Sequence, residues 1–377
     1  MPNKKIKDLL SIGIGDLVAT AILGVFWFYL AAELGPKLFG EITYLISIAQ
    51  IVSVIALLGA GNMLVVYLAK NIKINSTIFL ITLITGGISS ILIFFILNDL
   101  GTSFLVLGLV VFGIISSELT GKKLFQKNAK LVILHRISMV CFSLGLYFLI
   151  GPSGVIIGYA LSFFPYVPRV IHGFRENKIN FVLIKERTHF LYASYGQSLI
   201  GALSNNTLDK ILIGPIFGFI LLGNYSLGVQ FFGLIAILPG IIIQYLIPQD
   251  ASGVENNKLK KITVFGSICF AALGFTIGPE FMSFFFVQFT EASDIMRIIS
   301  IAVVPHTIAF LYQSKFLGAE KSKRFLISTV VRLVTHIVFL IILGLWWGGI
   351  GIAASFVIGS SAGAIFSYVI DKKNWLR

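Results

Sequence analysis

Few side chains in this sequence could do chemistry, and they sit where a charge is expensive. Arg332 and His336 lie in an apolar stretch, about 12 and 18 Å beyond Arg324 if that stretch is helical. Spaced four apart, they share one helix face and form a cationic patch able to contact a phosphate or pyrophosphate. The competing reading pairs Arg332 with an interior carboxylate, or lets it snorkel to the nearer interface. Arg136, beside His135 and about 9 Å past Lys130, either joins that cationic surface or snorkels in the same way. Asp16 is a lone carboxylate two to three turns into the first apolar stretch. It must be protonated, hydrated or paired, with Arg332, with Arg136 or with a coupling cation.

Asp209 and Lys210 are chain neighbours whose side chains point to different sides of a helix. They are candidates for ion coupling or cavity lining, against a structural role at the interface. His306, next to Pro305, either titrates in a proton-coupled cycle or packs as a hydrogen-bonded residue. Asp294 and Arg297, three apart, read as a surface pair, and Glu118 reads as an interface residue. Cys141 and Cys269 sit in apolar stretches with no disulfide or metal-ligand spacing and are expected to pack. The chain has no P-loop, and its one sizeable outer loop, 279–292, has no paired histidines and no metal-ligand spacing, so neither an enzyme nor a cofactor is expected.

The elements that must carry these residues follow from composition. Hydrophobic residues make up 57% of the chain and charged ones 12%, with a mean hydropathy of +0.95. That is more apolar than a soluble domain, which runs at about 45–50%. A helical span takes roughly 20 mostly apolar residues. Twelve stretches fit: 9–31, 42–69, 77–97, 103–118, 131–150, 153–171, 190–213, 222–247, 262–278, 293–317, 325–345 and 350–370. The first is too long for a signal-peptide core and is expected to be retained. Almost nothing remains for a soluble catalytic domain.

A net charge of +13 invites a nucleic-acid reading, but the distribution of that charge excludes it. Of the 29 lysines and arginines, 24 fall in one alternating set of loops and the two ends, four lie within or at the edges of spans, and the opposite loops hold only Lys37. Basic loops face the cytoplasm, so both termini are expected there, against anionic lipid headgroups. Trp346 and Trp347 sit where an outer interfacial belt belongs.

The longest polar stretch, 169–189, divides the spans six and six, giving two expected lobes, 1–187 with the cytoplasmic linker and 188–377. Duplicated halves would be parallel, related by an axis along the membrane normal. Faint self-similarity supports this. Gly35-Pro36 followed by Phe39-Gly40-Glu41-Ile42-Thr43-Tyr44-Leu45 matches Gly214-Pro215 followed by Leu222-Gly223-Asn224-Tyr225-Ser226-Leu227. Small residues from Gly344 through Gly359 to Gly363 suit close helix contacts, and Pro239-Gly240 is the expected hinge.

Three stretches carry a family resemblance. They are Leu34-Gly-Pro-Lys-Leu-Phe-Gly-Glu-Ile-Thr-Tyr-Leu45 with Leu58-Gly-Ala-Gly61; Leu208-Asp-Lys-Ile-Leu-Ile-Gly214 with Leu222-Gly-Asn-Tyr-Ser-Leu227; and Gly318-Ala-Glu-Lys-Ser-Lys323 with Trp347-Gly-Gly-Ile-Gly-Ile-Ala-Ala-Ser355. In these the chain resembles the Wzx-type polysaccharide flippases of the multidrug, oligosaccharidyl-lipid and polysaccharide exporter superfamily. The resemblance implies an all-α membrane protein, two six-helix lobes around a central cavity that opens alternately to each side. It implies translocation of a polyprenyl-linked oligosaccharide from the inner to the outer leaflet of the plasma membrane, for cell-surface glycan synthesis. Expected partners are membrane lipids, the lipid-linked substrate, and glycosyltransferases or a polymerase of the same pathway. The alternative within the superfamily is a cation-coupled exporter of small amphipathic compounds, with Asp16 or Asp209 as the ion site.

Overall fold

Lipid offers the backbone no hydrogen-bond partners, so a chain this apolar must satisfy its amides internally, and helix is the outcome. The computed structural model describes residues 2–204, 207–251, 256–319 and 321–373, with side chains from Thr20 onward except at 193, 238, 243–245, 247–251 and 373. No strand occurs among the described residues. The helices are α1 (Pro2–Leu57), α2 (Ala60–Ala69), α3 (Asn75–Leu97), α4 (Leu100–Gly121), α5 (Phe125–Ile150), α6 (Ser153–Leu161), α7 (Val167–Glu176), α8 (Val182–Lys185), α9 (Thr188–Ser204), α10 (Leu208–Phe217), α11 (Phe219–Ala251), α12 (Asn257–Thr276), α13 (Gly278–Phe285), α14 (Ala292–Ile301), α15 (Val303–Gly318) and α16 (Ser322–Lys373).

Among the described residues eight helices are long and apolar enough to cross a bilayer, or nine if α14 and α15, bent by 42°, form one span. Two of the eight do double service. Inside α1 the backbone leaves helical geometry at Gly35 (φ 71°, ψ 174°), just before Pro36, and inside α16 it does so at Gly348 (φ 57°, ψ −131°). Glycine takes a positive φ without a Cβ clash, so each break divides one long helix into two limbs. The expected 153–171 span is one candidate span, Ser153–Glu176, with a 3₁₀ turn at Phe164–Tyr166 inside it, whereas 190–213 divides between α9 and α10. Pro239-Gly240 is no break, because α11 continues helical through both residues.

The chain groups into two compact units, one of Met1–Trp27 with Leu45–Thr207 and the other of Phe28–Tyr44 with Leu208–Arg377. In the first, α9 packs on α2: Tyr67 meets Phe190 edge-on, and a Cβ on Gly59 would lie 2.5 Å from the Tyr195 amide nitrogen. One end of this unit is closed by a polar network. Glu118, fully buried at the end of α4, accepts from Arg169 Nε at 3.0 Å and Nη2 at 2.6 Å, and from Lys122 at 2.6 Å. Glu176 at the end of α7 pairs with both cations, and Asn75 at the start of α3 donates to Glu176 at 2.9 Å and to the Gly173 carbonyl at 3.3 Å. The network ties α3, α4 and α7 together. Glu118 is therefore enclosed by its protein partners rather than exposed.

In the second unit, the two copies of the repeated motif lie against each other. A Cβ on Gly40 would meet the Phe219 carbonyl oxygen at 2.0 Å, and one on Gly223 the Pro36 carbonyl oxygen at 1.9 Å. The Thr43 and Ser226 hydroxyls, 183 residues apart, lie 3.2 Å from each other. The motif alignment sets Gly40 opposite Gly223 and Thr43 opposite Ser226, so the contact is reciprocal. Behind it, Ile213, Leu222, Tyr225, Ile295, Ile299 and Leu340 form a closed apolar core.

The outer surfaces are apolar, with Phe95, Leu149 and Phe284 exposed by 78%, 78% and 77%. Such surface suits lipid and not water. Cys141 and Cys269 are free and exposed, which corrects their expected packing role. Trp346 and Trp347 are exposed, and Asp294 and Arg297 form the expected pair at 3.9 Å.

Candidate functional site

The first limb of α16 carries a polar stripe at four-residue spacing. Arg324 and Ser328 are buried, and Arg332 and His336 continue the stripe one and two turns on. What lets a guanidinium and an imidazole sit inside a helix contact is the second limb, which presents Gly359 and Gly363 at the same spacing. A Cβ on Gly359 would fall 2.7 Å from the His336 Cβ, and one on Gly363 would fall 3.0 Å from the Arg332 Cβ. Small residues here admit the close approach that lipid-embedded helices depend on.

The structure brings His306 of α15 into the same neighbourhood. Its ring lies 4.5 Å from Phe310 and 5.2 Å, edge-on, from Phe232, while the Arg332 guanidinium stands over the Phe310 ring at 5.9 Å. His336 meets Phe356 edge-on at 5.5 Å, and Phe356 meets Phe232 at 5.1 Å. Three aromatic side chains thus frame one guanidinium and two imidazoles. His306 Nδ1 and His336 Nε2 are shielded and have no hydrogen-bond partner among the described residues. A buried polar atom left unpaired calls for an explanation, and a ligand group is one.

Asp209 belongs to the same unit. It lies in the first turn of α10, where a carboxylate gains from the helix dipole, and it is 2% exposed. The Tyr225 hydroxyl donates to one of its oxygens, and the Lys210 amide donates to the other at 2.9 Å. Lys210 makes no ion pair with Asp209 among the described residues.

The other candidates lie elsewhere. Arg136 is in the first unit, on α5, with its Nε unpaired among the described residues. Its neighbour His135 is enclosed by Phe163, stacked at 4.3 Å, and by Phe112, Tyr159 and Tyr166. Asp16 lies on α1, but its side chain is outside the described residues. Sequence reasoning did not assign Tyr225, Phe232, Phe310 and Phe356. Tyr225 lies within the second copy of the repeated motif, but no local spacing pairs it with Asp209.

No protein-family model matches the sequence, and no curated protein matches it. Solved structures do. The lipid II flippase MurJ in an inward closed conformation aligns with 96% of this chain and 87% of its own, at a TM-score of 0.78 and 16% identity. An inward-facing multidrug resistance MATE family transporter of the MOP superfamily aligns over 97% of both chains, with a TM-score of 0.68 and 15% identity. The Vibrio cholerae MATE transporter VcmN, in a mutant form, aligns over 97% of this chain and 93% of its own, with a TM-score of 0.56 and 15% identity. At these identities the likeness is one of fold: the chain has the all-helical, multi-pass membrane architecture that these proteins share.

Proposed function

We propose that the chain is a flippase of the Wzx type it resembles, carrying a polyprenyl-linked oligosaccharide on phosphate or pyrophosphate from the inner to the outer leaflet by alternating access. Two lobes, 1–187 and 188–377, would move against each other, with both termini in the cytoplasm. The observation that carries this reading is the Arg332, His336 and His306 cluster, in which shielded imidazole nitrogens stand unpaired near a guanidinium. These are donors suited to phosphate oxygens, and a cation kept within a span is a functional signature. The fold likeness to a lipid II flippase supports it. Moving an anion outward through an inside-negative potential is favourable by about 2.3 kcal/mol per charge per 100 mV, so no nucleotide is required.

The test is leaflet accessibility of a fluorescent polyprenyl-diphosphate oligosaccharide in proteoliposomes. Arg332→Ala is expected to slow protein-dependent movement about tenfold, a loss of ~1.4 kcal/mol, with His336→Ala slowing it less. Movement that Arg332→Ala leaves unchanged discards the site. Protein that moves nothing, even under an imposed potential or ion gradient, turns the reading to small-molecule export. That second reading, a cation-coupled exporter of amphipathic compounds, draws on the buried Asp209. It requires Asp209→Asn to abolish the dependence of efflux on the ion gradient.

A further inference from the structure

In the first unit, the segment that joins α7 to α8 is fastened to the start of α3. The Asn177 side chain donates to the Asn75 side-chain oxygen, the Asn180 amide donates to Thr77 Oγ1 at 2.8 Å, and Asn180 Oδ1 accepts from the Val182 amide at 3.0 Å. Thr77 stands in the first turn of α3, whose 23 residues reach about 34 Å. That just exceeds the hydrocarbon thickness of about 30 Å, so these bonds hold the segment at the depth where a span leaves the hydrocarbon. Its side chains are sorted. Ile184 is buried, whereas Ile179, Phe181 and Val182 are exposed. Beside them Arg175, Lys178 and Lys185 are exposed, and none of the three side chains makes a hydrogen bond or ion pair among the described residues. The nearby carboxylates are engaged elsewhere, Glu176 with Lys122 and Arg169, and Glu186 with Arg187.

We propose that Ile179, Phe181 and Val182 form an interfacial anchor that enters the cytoplasmic leaflet, with Arg175, Lys178 and Lys185 against its anionic headgroups. Apolar side chains beside cations bind a lipid surface by the apolar area they bury and by attraction to anionic lipid. Charge bias along the sequence turns this end of the helices to the cytoplasm, where anionic lipid collects. A docked protein is the poorer occupant. A stable protein interface takes about 20–30 residues a side, and the exposed tip offers three apolar side chains already at membrane depth. The anchor would tie the segment, and α3 through Asn75 and Thr77, to one leaflet. The inference holds whatever cargo the protein moves.

The test is the immersion depth of a nitroxide on Val182→Cys, in full-length protein carrying Cys141→Ala and Cys269→Ala, read by its relative accessibility to oxygen and to a water-soluble nickel chelate. A label on Lys73→Cys, exposed in the connection just before α3, is the aqueous reference. In vesicles of equal parts phosphatidylglycerol and phosphatidylcholine, the label at 182 should favour oxygen severalfold more than the label at 73. In pure phosphatidylcholine it should sit shallower. Arg175→Gln/Lys178→Gln/Lys185→Gln should remove the difference between the two lipids, and Phe181→Ser should shift the label toward water in both. The proposal is overturned if the label at 182 meets the chelate as freely as the label at 73, which would leave the tip to a protein partner. It is also overturned if depth ignores phosphatidylglycerol, or if Phe181→Ser changes nothing. Equal thermal midpoints in detergent for the variants and their parent separate these readings from misfolding.

Discussion

Gly223→Ala is expected to leave almost no monodisperse protein after solubilisation. The added methyl would sit 1.9 Å from the Pro36 carbonyl oxygen and 2.7 Å from its carbon, and backbone has no rotamer with which to yield. Overpacking a core ordinarily costs about 1–3 kcal/mol, and a clash with main chain on both counts belongs at or above the top of that range. Gly40→Ala should behave alike, since its methyl would meet the Phe219 carbonyl oxygen at 2.0 Å. Gly233→Ala is the internal control. It lies on the same helix, α11, with nothing within 4 Å of the added atom, and alanine favours helix by about 1 kcal/mol. Fluorescence-detected size exclusion and a thermal melt would read all three. Equal yields and midpoints for Gly223→Ala and Gly233→Ala would remove the close contact from the account.

The second large effect lies in the Glu118 network and has a direction. Arg169→Ala leaves Glu118, fully buried, with Lys122 alone, and should destabilise by about 3–5 kcal/mol, as breaking a buried pair does. Glu118→Ala should cost less, about 2–3 kcal/mol, because Arg169 and Lys122 are partly exposed and keep Glu176. Thermal midpoints in one detergent would rank the two. The reverse ranking would mean that burial of the carboxylate is not what the network guards against.

The apolar helices were legible in large part, eight or nine of them among the described residues against twelve expected, because the bilayer sets them locally: a run of apolar residues either reaches across or does not. The breaks were legible only in part. Gly35 precedes a proline, whereas Pro239-Gly240 carries the same signal and α11 passes through it, since a proline inside a membrane helix can be accommodated by its surroundings. At the candidate site, helical spacing alone aligned Arg332 with His336. The approach of His306 and the frame of Phe232, Phe310 and Phe356 arise from packing of α11, α15 and both limbs of α16, which no single window contains. The burial of Glu118 was illegible for the same reason: its bidentate partner lies 51 residues away.

The reciprocal contact of Gly40 and Gly223 bears on how the two copies of the motif can diverge. At an ordinary helix crossing, growth of a side chain on one face can be offset by shrinkage on the other, so the two sequences drift together through many combinations. Here each glycine faces main chain contributed by the equivalent of its own motif, and no substitution across the contact can make room. Drift is therefore arrested at both positions at once, and the pair should be inherited as a single character, outlasting the similarity that has faded around it.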